Sequence, residues 1–152
     1  MKLPAEMAEA LRIGPVHDTV VFLTTATLEG RPNIAVQQFT DVHGDEFILM
    51  PDLFALKTRV NLNENQTGVI TVASPADLRH WVIEGPCNVI QWGHPDGYRF
   101  QGLRAGEVLE RWGDWSAIEP MDDLPDEERP AVIAQRGVII LKAERVRRIE
   151  SP

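Results

Sequence analysis

Apolar residues recur along this chain with two different periods, and the switches between them mark out the elements. Leu3, Met7 and Leu11 fall four residues apart and Gly14-Pro15 follows, which predicts a short amphipathic helix with a glycine stop. Residues 19–25, Thr-Val-Val-Phe-Leu-Thr-Thr, are almost all β-branched or aromatic and predict a buried strand. Glu29-Gly30-Arg31-Pro32 supplies turn chemistry. Residues 33–42 then alternate, with Ile34, Val36 and Gln38 on one face and Ala35, Gln37 and Phe39 on the other. His43-Gly44-Asp45 turns the chain into a third strand over residues 46–50, which Pro51 ends. Three strands joined by tight turns predict an antiparallel meander.

Residues 57–65 have a helical pattern, with Leu56, Val60 and Asn63 on one side, and residues 68–73 form the next predicted strand. Ser74-Pro75-Ala76-Asp77 sets an N-cap before a proline and predicts a short helix through Val82. Residues 88–92 predict a strand, Asp96-Gly97 a hairpin turn, and residues 98–109 a long strand in which Gly102 and Gly106 allow bends. Asp114 caps a helix that includes Trp115 and Ile118, and the acidic residues 122–130 continue it. Residues 138–149 form the last long strand. The pattern predicts a mainly β fold with peripheral helices, in which about six antiparallel strands curl into a barrel and so remove exposed edges. At 152 residues the chain fits a single domain, 1–152.

Charge narrows the choice of partners. Against 23 Asp and Glu stand 15 Lys and Arg, a formal charge of −8 that repels nucleic acid, and no basic stripe interleaves with aromatics. No nucleic-acid partner is expected. Residues 107–128 carry nine acids and one arginine, whereas residues 129–148 carry six basic residues and one acid. That juxtaposition reads as two solvated faces or as a self-complementary contact between subunits. The longest apolar runs, residues 47–50 and 138–141, are too short to span a bilayer, and the N-terminus is acidic and broken by proline. A cytoplasmic protein without a membrane partner is expected.

Several chemistries lack their residues. The single cysteine, Cys87, leaves neither an intrachain disulfide nor a cysteine-cluster metal site, and His17, His43, His80 and His94 include no i, i+4 pair, so no metal is expected. None of the three serines stands in a G-x-S-x-G elbow, and no G-x-G-x-x-G or Walker A loop occurs. Asp122, Asp123, Asp126, Glu127 and Glu128 are crowded by two prolines and read as a solvated helix face.

The informative stretch is residues 28–73. Lys57 and Thr58 stand where a helix begins after a loop, so they offer one anion an ammonium, a hydroxyl and free backbone N–H groups. Arg59 adds a second charge. The plainer alternative is that Thr58 caps the helix and Lys57 is a surface lysine. Gln37 and Gln38 are adjacent and point to opposite faces; either one amide looks inward or both face solvent along an edge strand.

The run Gly30-Arg31-Pro32-Asn33-Ile34-Ala35-Val36-Gln37, the turn His43-Gly44-Asp45, the strand end Met50-Pro51, and then Leu56-Lys57-Thr58-Arg59-Val60-Asn61-Leu62 and Glu64-Asn65 before another strand resemble the FMN-binding split-barrel family. That family includes pyridoxamine 5′-phosphate oxidase and small bacterial FMN-binding proteins. Residues 28–73 match its pattern closely, and residues 99–110 and 138–149 fit it loosely.

The resemblance implies a split β-barrel of the FMN-binding type, a homodimer with the cofactor at the subunit boundary, and FMN as that cofactor. It places Val36, Gln37 and Gln38 along the flavin and Met50 and Pro51 beside it. It implies that Lys57 and Thr58 meet the phosphate, which carries about −1.5 to −2 charges. The implied function is that of an oxidoreductase or electron carrier served by a small-molecule or redox-protein donor, with no catalytic side chain assigned. Two features depart from the pattern. Leu53-Phe54-Ala55-Leu56 is apolar where many relatives are basic. Residues 74–97, with Trp81, Trp92, Cys87 and two histidines, exceed the usual hairpin and read as a lid or a dimer contact. A second reading is a flavin-free barrel that binds another ligand or a protein; a third is a relative using a deazaflavin or haem.

Overall fold

The computed structural model describes residues 1–11, 14–15, 19–37, 39–52, 56–74, 80–91 and 137–149. In chain order these form α1 (Ala5–Ala10), β1 (Gly14–Pro15), β2 (Val20–Ala26), β3 (Pro32–Gln37), β4 (Phe39–His43), β5 (Phe47–Asp52), α2 (Leu56–Glu64), β6 (Thr67–Ala73), β7 (His80–Gln91), β8 (Gly137–Lys142) and β9 (Arg145–Ile149). Every strand pairing is antiparallel, as the meander reading requires. The sheet runs β1-β4-β5-β8-β7-β6-β2-β3, with β9 added on β7.

Strand β7 belongs to two sheet halves at once. Its residues 80–86 pair with β6 and residues 80–84 with β9, whereas residues 87–91 pair with β8. The corner between the halves is built from two facing glycines, Gly68 and Gly85. A Cβ on Gly85 would stand 1.8 Å from the Lys142 carbonyl oxygen, and one on Gly68 would stand 2.9 Å from Cys87 Cβ. Only residues without side chains let these backbones approach so closely.

Among the described residues there are nine strands where the pattern predicts about six, because two expected strands are each divided and Gly14–Pro15, expected as a stop, pairs with β4 as β1. Residues 33–42 leave the half containing β2 after Gln37 and enter the half containing β5 at Phe39. Residues 138–149 break at Ala143-Glu144. Glu84 faces Arg145 and Cys87 faces Leu141, so four steps on the last strand oppose three on β7. That one-residue excess is a β-bulge, which bends the strand around the Gly85 corner. Of the helix expected over residues 74–82, residues 80–82 belong instead to β7, where backbone pairing on both sides of residues 80–84 outweighs a local capping signal. Within the segment 74–97, read as a lid or dimer contact, the described residues 80–91 form a central strand, and residues 75–79 and 92–97 lie outside the described residues. Gln38, the apolar loop 53–55, and the strand and helix expected within residues 92–136 lie outside the described residues.

The core gathers one face of each element. Alternate residues Val21 and Leu23 of β2 and Ile70 and Val72 of β6 meet Ile83, Met50, Ile139 and Leu141, and α1 adds Met7 while Leu3 and Leu11 flank it. Each such side chain, fully buried, is worth about 1.5–3 kcal/mol relative to exposure. The N-terminal segment is also tied by its backbone, Leu3 N donating to Asp45 O at 2.8 Å. Among the described residues no helix is long and apolar enough to cross a membrane.

Candidate functional site

The β2–β3 hairpin sets the geometry of the site. Thr27 N donates to Arg31 O at 3.0 Å, Arg31 N donates to Thr27 Oγ1 at 3.1 Å, and Gly30 takes φ 87°, a conformation that favours glycine. This turn fixes the register that sets Thr25 directly opposite Asn33. Both side chains belong to the face of the hairpin that carries the core residues Val21 and Leu23.

Helix α2 packs against β2, β3 and β7, and it meets this hairpin with polar residues. Its inward positions are Thr58, Asn61 and Leu62, while Val60 and Asn63, grouped on one side by the sequence pattern, are exposed. Asn33 Nδ2 donates to Thr58 Oγ1 at 3.2 Å, and Asn61 Nδ2 donates to Thr25 Oγ1 at 3.2 Å. The two ties are reciprocal: one runs from strand amide to helix hydroxyl, the other from helix amide to strand hydroxyl. Asn61 Oδ1 is buried and has no hydrogen-bond partner among the described residues. Leaving such an acceptor unsatisfied costs about 1–3 kcal/mol.

On the other face of β3 the pattern reverses. Ile34 and Val36 are 65% and 63% exposed, opposite Thr24 and Phe22 of β2. Strand β3 ends the sheet, so among the described residues its second backbone edge is unpaired. That edge offers N–H donors and C=O acceptors between the apolar face and the face bound to α2.

The residues expected to form the site fall into three groups. Lys57 is exposed in the first turn of α2, next to Thr58, which is buried at 1% and engaged by Asn33. Val36 is on the open face of β3, and Gln37 beside it is buried opposite Val21. Met50 is fully buried in the core opposite Ile139, and Pro51 is a backbone position of β5 opposite Val138. The structure therefore joins Thr58, the neighbour of Lys57, to β3 through Asn33, and commits the Met50 side chain to packing. Sequence reasoning did not single out Asn33, Thr25 or Asn61 as partners. The signal was the Thr-x-x-Asn spacing of Thr58 and Asn61, which puts both on one helix face.

FMN combines an anionic phosphate with a flat, largely apolar ring that has a hydrogen-bonding edge. Residues that could hold such parts are the exposed Lys57 on α2, the Ile34–Val36 face on the other side of β3 from α2, and between them the β3 edge, which is unpaired among the described residues. Elsewhere, Glu84 bridges Arg145 at 2.7 Å and Arg147 at 3.0 Å beside an open groove of about 410 Å³ lined by Gln66, Thr67, Pro86 and Glu144. Cys87 is buried, and desolvation pushes its thiol far above the usual range.

No sequence-family model matches the chain, and no curated protein sequence does. Solved structures do. HupZ from Group A Streptococcus is similar with a TM-score of 0.63 at 15% identity, covering 98% of this chain and 95% of its own. A structure described as F420 reductase aligns with a TM-score of 0.57 at 18% identity over 95% of this chain and 98% of that one. A pyridoxamine 5′-phosphate oxidase-related, FMN-binding protein from Nostoc punctiforme aligns with a TM-score of 0.54 at 14% identity, over 86% and 73% of the two chains. The chain thus has the split-barrel fold of the pyridoxamine 5′-phosphate oxidase-like, FMN-binding proteins, the fold that residues 28–73 resemble in sequence.

Proposed function

We propose that this protein binds FMN and acts as a homodimeric flavoprotein, an oxidoreductase or electron carrier served by a small-molecule or protein donor. One observation carries the reading: an exposed lysine in the first turn of α2 is tied through its neighbour to an edge strand that presents Ile34 and Val36. A fold neighbour described as FMN-binding supports it.

In this reading Lys57 holds the phosphate, and Val36, Gln37 and Gln38 run along the ring. The backbone at Met50-Pro51 lies beside the ring, and Thr58 serves the phosphate by anchoring the turn that carries Lys57. Bound FMN supplies reversible electron transfer; the chain's residues bind it, orient it and exclude water from it. A second copy packed on the Ile34–Val36 face covers apolar surface that a monomer leaves to water.

The test is the visible absorption spectrum of protein purified without added cofactor, followed by titration with FMN and riboflavin. A flavin band, or quenching of flavin fluorescence with a preference for FMN, is expected. A colourless protein that quenches neither flavin overturns the reading and favours the flavin-free binding module.

A further inference from the structure

We infer that Asn33 is a positioning residue for phosphate recognition, holding Lys57 at a set place relative to the strand that carries the apolar face; this rests on the FMN reading above. The first turn of a helix lacks the i→i−4 hydrogen bonds that stiffen the following turns. Lys57 and Thr58 both lie in that turn of α2. Later in the helix, Asn61 is tied to Thr25, and Leu62 is buried in the core. At the first turn, one tie is the Asn33–Thr58 hydrogen bond, part-buried at 3.2 Å.

Asn33 also precedes Ile34 in β3, so one amide links the helical turn that carries the cation to the strand bearing the apolar wall. A ligand with a charged end and a flat end at a set separation binds best when those two contacts are held at that separation beforehand. The Thr25–Asn61 tie serves the same helix but not the same turn. It packs the helix on the hairpin and takes no part in selecting phosphate.

The experiment measures FMN and riboflavin affinities for wild type, Asn33→Ala, Thr58→Val, Thr58→Ser and Lys57→Ala, together with the double variant Asn33→Ala/Lys57→Ala. The ratio of the two affinities isolates the phosphate contribution from general loosening. Asn33→Ala and Thr58→Val are expected to lower that ratio by roughly two- to tenfold. Thr58→Ser, which keeps the accepting hydroxyl, is expected to restore it. In the Lys57→Ala background, Asn33→Ala is expected to change the ratio no further, because a residue acting through Lys57 has nothing left to act on.

Thermal melts of each variant accompany the titrations. A lower melting temperature with an unchanged ratio in Asn33→Ala and Thr58→Val assigns both residues to packing alone and overturns the inference while the FMN reading stands. An equal ratio loss with and without Lys57 also overturns it. Wild type that binds FMN and riboflavin equally overturns the phosphate reading itself, and the inference with it.

Discussion

Lys57 and Cys87 show how differently two reactive side chains are placed. Lys57 is exposed, so replacing it by alanine is expected to leave folding within about 0.5 kcal/mol of wild type. FMN affinity is expected to fall roughly ten- to a hundredfold, the worth of one charge-assisted contact, while riboflavin binding stays unchanged. Paired fluorescence titrations check this, and an equal loss for both flavins would move the phosphate elsewhere. Cys87 is sealed in the core beside the Gly68 corner. Its thiol is expected to react with a disulfide reagent only as the protein unfolds. Its raised pKa also sets a direction with pH. The stability it contributes is complete below the pKa of an unfolded thiol, near about 8.5. Above that point the unfolded chain releases the proton and the native state keeps it, so stability falls at up to about 1.4 kcal/mol per pH unit. Denaturant melts from pH 8 to 10 are expected to show a shallower decline in Cys87→Ala than in wild type; identical slopes would count against the burial argument.

Among the elements, β7 organises the molecule, and its long span depends on a corner without side chains. Gly85→Ala is expected to destabilise the protein by about 3 kcal/mol or more, because the new methyl meets a carbonyl oxygen and neither backbone can yield without breaking ladder hydrogen bonds. Chemical denaturation measures it, and a cost below about 1 kcal/mol would show that the corner relaxes cheaply. The neighbouring Glu84–Arg145 and Glu84–Arg147 pairs are solvent-facing and are worth at most about 1 kcal/mol each, so packing at the corner outweighs charge there. Helix α2 makes the complementary point. Its existence was legible from its pattern, but its inward face was not. In the sequence Thr58 reads as a phosphate contact or a cap and Asn61 carries no assigned role, whereas the hairpin opposite supplies Asn33 and Thr25 as their partners.

For the whole molecule, the open Ile34–Val36 face and the acidic stretch 107–128 beside the basic stretch 129–148 lead to one expectation about assembly, against the mutual repulsion of chains that each carry −8. Sedimentation at micromolar concentration is expected to give twice the 17.1 kDa chain mass; a monomer would separate flavin binding from subunit contact. The chain's own pattern was enough to establish the antiparallel meander, the helix that follows it and the resemblance carried by residues 28–73, because these depend on periodicity and turn chemistry within a few residues. Three features needed the assembled protein: the crossing between sheet halves after Gln37, the bulge at Ala143-Glu144, and the inward turn of Thr58 and Asn61. Each depends on partners distant in the chain. A strand changes sheets or takes an extra residue according to which neighbour satisfies its backbone, and a polar side chain turns inward only when its hydrogen bond waits there.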